Sequence, residues 1–202
     1  MAVMLSDDEA VAIAAQGGVV WSMPLPTVNV QESREVSAAM ARGVRSLRLR
    51  GLLSGEAGQP ELAEELRGFA RGAQSTPGLM AQVVRNGERP VPLGGAVVAS
   101  AVSGEEAFVD LISASGVHDF AVLPVPQAQA TLLAYLRAVF QSGPAGPDAP
   151  PDAELWVSVG RGQGRISLKR GTVRVGDGEP VLDWGQAEAE LAATLTSVLT
   201  VS

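Results

Sequence analysis

Apolar residues recur every three or four positions through Arg34–Leu53, where Val36, Met40, Val44 and Leu47 fall on one face of a helix. Glu32 and Glu35 precede that stripe, Arg42, Arg45, Arg48 and Arg50 crowd its far end, and Gly51 follows where a left-handed cap closes a helix. Both ends of the segment are therefore marked by charge as well as by period. After the polar stretch 54–59, Pro60 takes a first helical position with Glu61, Glu64 and Glu65 close behind, and Leu62, Leu66, Phe69 and Ala73 form a second stripe. The pattern predicts a helix-loop-helix unit over residues 34–73, its two helices packed on each other. Upstream, Ser6 followed by Asp7, Asp8 and Glu9 reads as a helix N-cap with acids in the first turn. The helix it opens has few large apolar anchors, and Pro24 and Pro26 enforce an extended path before the second helix.

From Leu79 the period shortens. LMAQVV, AVVASAV, AFVDLIS and FAVLPV are apolar, β-branched runs separated by turn-like clusters, the spacing of a sequential antiparallel meander. Gly94 and Gly95 mark a bulge or the start of the second run, because glycine contributes no side chain to a sheet face. Pro124 and Pro126 close the meander, and QAQATLLAYLRAVF returns to helix with Leu132, Leu133, Leu136, Val139 and Phe140 on its apolar side. Residues 142–152 hold four prolines and read as a loop that divides the chain. ELWVSV, RISL and TVRV follow as strands, and a last helix from about Gln186 to Val198 turns Leu191, Leu195, Val198 and Leu199 inward. Segregated helices and strands in this order predict an α+β fold: one domain over residues 1–202, a mainly antiparallel central sheet and helices packed against it.

The 202-residue chain carries a formal charge of -7, which repels a phosphate backbone at long range and disfavours nucleic acid as a general partner. It has no cysteine, so disulfide, thiolate and Cys-ligated zinc chemistry are excluded, and the cytoplasm is the expected compartment. The first ten residues lack a basic stretch leading into an apolar one, and Gly, Pro or charge breaks every apolar run before about 18 residues, so stable membrane insertion is not expected.

Candidate chemistry is thin. Gly160, Gly162 and Gly164 in GRGQG resemble a phosphate loop, but such loops lead into a helix whereas Arg165–Leu168 continues as strand, so a hairpin loop is the better reading. Arg161, Arg165, Lys169, Arg170 and Arg174 form a basic strip with no acid among them and no interleaved aromatic on which bases could stack. His118, the single histidine, stands beside Asp119, but adjacent strand residues point to opposite faces and no nucleophile elbow accompanies them, so a turn or strand-edge histidine is expected. One histidine and scattered carboxylates do not make a zinc site. Asp110, inside a strand-like run, is expected to face water while its neighbours face the core. Trp21, Trp156 and Trp184 are expected in the core.

The order of features resembles the EspG family, cytosolic chaperone-like proteins of actinobacterial type VII secretion systems. The residues that carry the resemblance are a helix ending in Arg50-Gly51-Leu52-Leu53, the PELAEELRGFA helix, a run of strands, FAVLPVPQAQATLLAYL, and GRISLKRGTVRVGDGEPVLDW before a last helix. These cover most of the chain by order and spacing. The chain is shorter than members of that family, with the proline-rich segment standing where they have more structure. The resemblance implies a mixed fold on an antiparallel sheet and a non-enzymatic, cofactor-free role. Its partner is a helical secretion substrate of the PE/PPE or WXG type, kept soluble until export. Residues Gly160, Arg161, Gly162, Gly164, Arg165, Lys169, Arg170 and Arg174 are the candidate partner-binding positions. Two readings compete with it: a structural protein that forms a homodimer through a sheet edge, and a small hydrolase whose residues converge only in three dimensions.

Overall fold

An eight-stranded sheet divides the molecule, with all its neighbouring strands antiparallel. A computed structural model describes residues 3–16, 23–56, 59–75, 78–85, 91–142, 153–159, 164–169, 172–175 and 184–200. In chain order the elements are β1 (Met4–Ser6), α1 (Asp7–Gln16), α2 (Ser33–Leu49), β2 (Leu53–Glu56), β3 (Gln59–Leu62), α3 (Glu64–Gln74), β4 (Leu79–Arg85) and β5 (Val91–Ala101). They continue with β6 (Glu106–Ile112), β7 (Val117–Pro124), α4 (Val125–Ser142), β8 (Ala153–Val159), β9 (Gly164–Lys169), β10 (Thr172–Val175) and α5 (Trp184–Leu199). The strand order is β1-β7-β6-β5-β4-β8-β9-β10, so the meander occupies one half and the strands after α4 extend it from β4. The fold is α+β on an antiparallel sheet, as the alternation of periods predicts.

Both faces of the sheet are covered, by chemically different layers. On one face α4 and α5 supply Leu132, Leu136, Val139, Leu191, Leu195 and Leu199 to the inward residues Val97, Ala99, Val109, Leu155 and Val157. On the other, α1 and α3 bring Ala10, Ile13, Leu66 and Phe69 against Ala96, Val98, Phe108 and Ile112. Small strand residues such as Ala96, Ala99 and Ala107 let helices approach closely where aromatic volume is scarce.

Helix α2 lies one layer further out, on α1. Ala39, Gly43 and Leu47 are its buried positions, and a Cβ on Gly43 would stand 1.9 Å from the Asp8 carbonyl oxygen. That contact sets the helix's rotation and corrects the predicted stripe: Met40 is 39 % exposed, because the small face makes the closest approach. Its C-terminus closes as its sequence indicates, with Gly51 at φ 70° and the Leu52 and Gly51 amides donating to the Leu47 and Arg48 carbonyls.

The segment after α2 departs from the helix-loop-helix expectation. Leu53–Glu56 pairs with Gln59–Leu62 as a two-stranded ribbon, and α3 starts only at Glu64. Pro60 fits the ribbon because, opposite Gly55, it sits in a strand with one neighbour, where a missing N–H costs little. The predicted inner face of α3 holds, with Leu66, Phe69 and Ala73 buried. The bulge near Gly95 is also present: the β4–β5 register shifts between Gln82 and Val84, and Gly95 takes φ 78°. The expected loop at residues 143–152 and the segment around Trp21 lie outside the described residues. Trp156 and Trp184 are half-buried rather than central, and Trp184 packs on Phe140.

Candidate functional site

Period 2 along β6 puts Phe108, Asp110 and Ile112 on the α1/α3 face, and along β7 it puts His118, Phe120 and Val122 there. The register sets Ile112 opposite His118 and Phe120 opposite Asp110, so Asp110 and His118 are diagonal neighbours, the relation in which a long side chain reaches across. His118 Nδ1 lies 2.7 Å from Asp110 Oδ2, and its Nε2 lies 2.9 Å from Asp7 Oδ1. Asp7 arrives from the first turn of α1, whose amide donates to the Gly116 carbonyl in the turn before β7. The three side chains are buried, and the Phe69 ring stands edge-on to the imidazole at 5.8 Å.

Two expectations are corrected here. His118 is no turn or strand-edge residue, and Asp110 does not face water; both are fully buried. The water-facing default assumes a sheet with one solvated face, but helices cover both faces of β6 and β7, so either phase of the alternation buries Asp110. Asp119, adjacent in sequence, takes no part. The signals available were a lone acid inside AFVDLI, and a histidine in phase with Phe120 and Val122 on an apolar face.

The electrostatics decide what this trio does. Burial by itself would push the His118 proton off, but its hydrogen bonds to Asp110 and Asp7 and their electrostatic attraction outweigh it and raise the imidazole to about 9. Burial also opposes the Asp7 charge, yet its bonds to His118 and Thr27 prevail and hold its carboxyl below the ordinary value. At neutral pH the imidazolium therefore donates through both ring nitrogens, and Asp7 faces it as a carboxylate with its own negative charge. Asp7 Oδ2 disperses part of it, accepting from the Thr27 amide at 2.6 Å and the Thr27 hydroxyl at 2.7 Å. A Cβ at Gly116, which has φ 71°, would lie 2.6 Å from that same oxygen. Asp110 Oδ1 is buried without a hydrogen-bond partner among the described residues.

A second clamp stands beside the first. Ser6 and Glu9 form a reciprocal cap, the Ser6 amide donating to Glu9 Oε2 and the Glu9 amide to Ser6 Oγ. Glu9 also accepts from Ser46 Oγ at 2.7 Å and from Arg50 Nη1 at 2.7 and 2.8 Å, while Arg50 Nη2 donates to the Met4 carbonyl. Asp8 binds Arg42 through two bonds. The three acids predicted only as a helix start thus fasten α1 to the sheet, to α2 and to β1. The Glu9–Arg50 pair also occupies the Ser6 amide and the Met4 carbonyl of edge strand β1, groups a second copy would need for pairing there.

Chemically, the trio is closed. A general base must present a nitrogen to a substrate, and both nitrogens of His118 face carboxylates inside the core. A shallow cleft of about 430 Å³ on α3, lined by Glu64, Arg67, Ala70 and Arg71, lies elsewhere on exposed charged side chains, with Arg67 paired to Glu64.

Of the predicted partner-binding positions, Gly160, Arg161, Gly162 and Arg170 lie outside the described residues. Gly164, Arg165 and Lys169 belong to β9 and Arg174 to β10. Arg174 pairs with Ser167, which alternates with Arg165 and Lys169, so the backbone aligns all three basic positions on one face of the β9–β10 ribbon. Ile166 and Leu168 pair with Val157 and Leu155, which point to α4 and α5, so the basic positions lie on the opposite face. There α1 and α3 cover β5 to β7, and among the described residues no helix extends over β8 to β10. On that half-face Gln82, Glu154, Trp156 and Ser158 are partly buried, whereas on β4 Val84 is buried and Met80 packs against the α1/α3 core.

Among the described residues, no helix is long and apolar enough to cross a membrane. Compared with protein-family models and with curated protein sequences, the chain gives no match.

Proposed function

We propose that this is a non-enzymatic binding protein that works as an EspG-like chaperone, holding a helical type VII secretion substrate of the PE/PPE or WXG type in the cytoplasm. The observation that carries the reading is the contrast between a sealed interior and a half-face of the sheet that no helix covers among the described residues. The arrangement closest to acid–base machinery has both imidazole nitrogens occupied and no access to solvent. The half-face of β8, β9 and β10 has no helix on it among the described residues, and it combines half-buried Trp156 with aligned basic positions 165, 169 and 174. An amphipathic client helix laid there would cover apolar surface and set its acids toward the ribbon. The order and spacing of the chain's elements support the choice of client class.

The test is co-expression of the full chain with small helical secretion substrates of those types, followed by size-exclusion chromatography with light scattering. A stable one-to-one complex with at least one of them is expected, weakened by Trp156→Ala. Absence of a complex with every substrate removes the reading. One observation favours a homodimer instead: among the described residues, β10 has no strand on its outer side. Light scattering on the protein alone separates the two, because a mass that stays monomeric across concentration excludes the dimer.

A further inference from the structure

We propose that the outward face of α2 is a docking surface for an acidic amphipathic helix of another protein. At 100° per residue, Arg34, Ala38, Ala41, Arg45 and Arg48 fall on one stripe, diametrically opposite the buried Ala39, Gly43 and Leu47. All five are exposed, and Leu49, 83 % exposed, ends the same side.

The arginines of α2 and its cap divide by role. Arg42 and Arg50 are committed to Asp8 and Glu9 and hold α1 in place. Arg34, Arg45 and Arg48 have no carboxylate partner among the described residues. A chain of net charge -7 thus presents three uncompensated cations on one helix, a local reversal of sign. Arg34 and Arg45 stand three turns apart, roughly 16 Å along the axis, and the two alanines between them let a second helix come close. The fitting occupant is a helix with acidic side chains three turns apart and an apolar residue placed to meet Leu49. Nucleic acid fits poorly, because the stripe has no aromatic side chain for base stacking and the rest of the protein repels a polyanion. The stripe is separate from the sheet face assigned above, and neither surface depends on the other.

The probe is a fluorescein-labelled, alanine-based helical peptide of roughly six turns with glutamates three turns apart on one side. Binding to the full chain is read by anisotropy at about 50 mM salt, where exposed charges remain weakly screened. The wild-type chain is expected to bind it, and the R34E/R45E/R48E variant to bind about tenfold more weakly or less, since three exposed ion pairs are lost. Its circular dichroism should be unchanged because these side chains make no ion pair among the described residues. The neutral variant R34Q/R45Q/R48Q gives a smaller loss in the same direction without adding repulsion. Equal binding by wild type and both variants, no binding by the wild type, or duplex DNA bound as tightly as the peptide would each overturn the proposal. A charge-reversed variant that still captures a secretion substrate would leave the chaperone reading intact while the wild-type peptide result decides this one.

Discussion

The two faces of the sheet are built from the same strands and differ in almost every other respect. Toward α4 and α5 the fully buried core is aliphatic: leucines and valines from two helices meet alanines and valines from the sheet, with Tyr135, Phe140 and Trp184 only partly buried against it. Toward α1 and α3 the core holds Phe69, Phe108 and Phe120 around an imidazolium and two carboxylates. Apolar burial is nondirectional, whereas a doubly hydrogen-bonded imidazolium accepts one position of α1 and one register of β7. The difference teaches where the fold places its specificity. The plain face supplies burial, and the charged face fixes α1, on which α2 and its outward arginines depend for their position.

Removing the charge centre should be the harshest change. His118→Ala leaves two buried carboxylates without a cation, and a loss of about 3–5 kcal/mol is expected in denaturant unfolding. Leu195→Ala on the plain face should cost about 2–5 kcal/mol through lost apolar burial and the cavity left behind. The two are told apart by pH. Because the His118 pKa rises from 6.5 in the unfolded chain to about 9 in the fold, its contribution is complete below pH 6.5 and is lost as pH climbs through 9. That window is worth roughly 3 kcal/mol, at about 1.4 kcal/mol per unit. The gap between wild type and His118→Ala should therefore shrink as pH rises from 6.5 to 9 and level off above that, while the gap to Leu195→Ala stays constant. Asp7 works with the opposite sign: its carboxyl is held low, so its contribution is present at neutral pH and fades as pH falls below 3.8.

A smaller effect should follow from Arg50→Ala. Glu9, almost wholly buried, would keep Ser46 and the Ser6 amide but lose its cation, and the Met4 carbonyl would be released at the sheet edge. A cost of about 1–3 kcal/mol is expected. If β1 is kept from pairing by this clamp, sedimentation of the variant should show association that the wild type lacks; an unchanged monomer would separate the clamp's stability role from edge protection.

These contrasts also explain what the residues alone revealed. The ends of α2 were legible because period, end charges and Gly51 agree there, and the meander, α4 and α5 were legible from the apolar period and the prolines and turn residues around them. The β2–β3 ribbon was not, since Pro60 followed by Glu61 and Glu64 satisfies a helix start equally well and only pairing to Leu53 and Ser54 decides the matter. Strand β1 is three residues long and borrows its order from β7. The charged core was hidden for another reason: Asp7 and His118 lie 111 residues apart, and the acids of α1 look like solvated helix-start residues until α2 and the sheet enclose them. Asp110 could have been suspected, because a single acid in a run buried on both faces must find a partner. The basic positions of β9 and β10 form a strip in sequence, and the register places three of them on one face of the ribbon.

His118 is the only histidine in the chain, so its ring resonances need no assignment strategy. Nitrogen-15 NMR of the folded protein across pH 6 to 10 tests the closed imidazolium directly. Both ring nitrogens should carry slowly exchanging protons at pH 7, with titration near 9. A ring that titrates near 6.5, with one nitrogen unprotonated and open to solvent at pH 7.5, would contradict the account and return His118 to the list of groups able to move a proton.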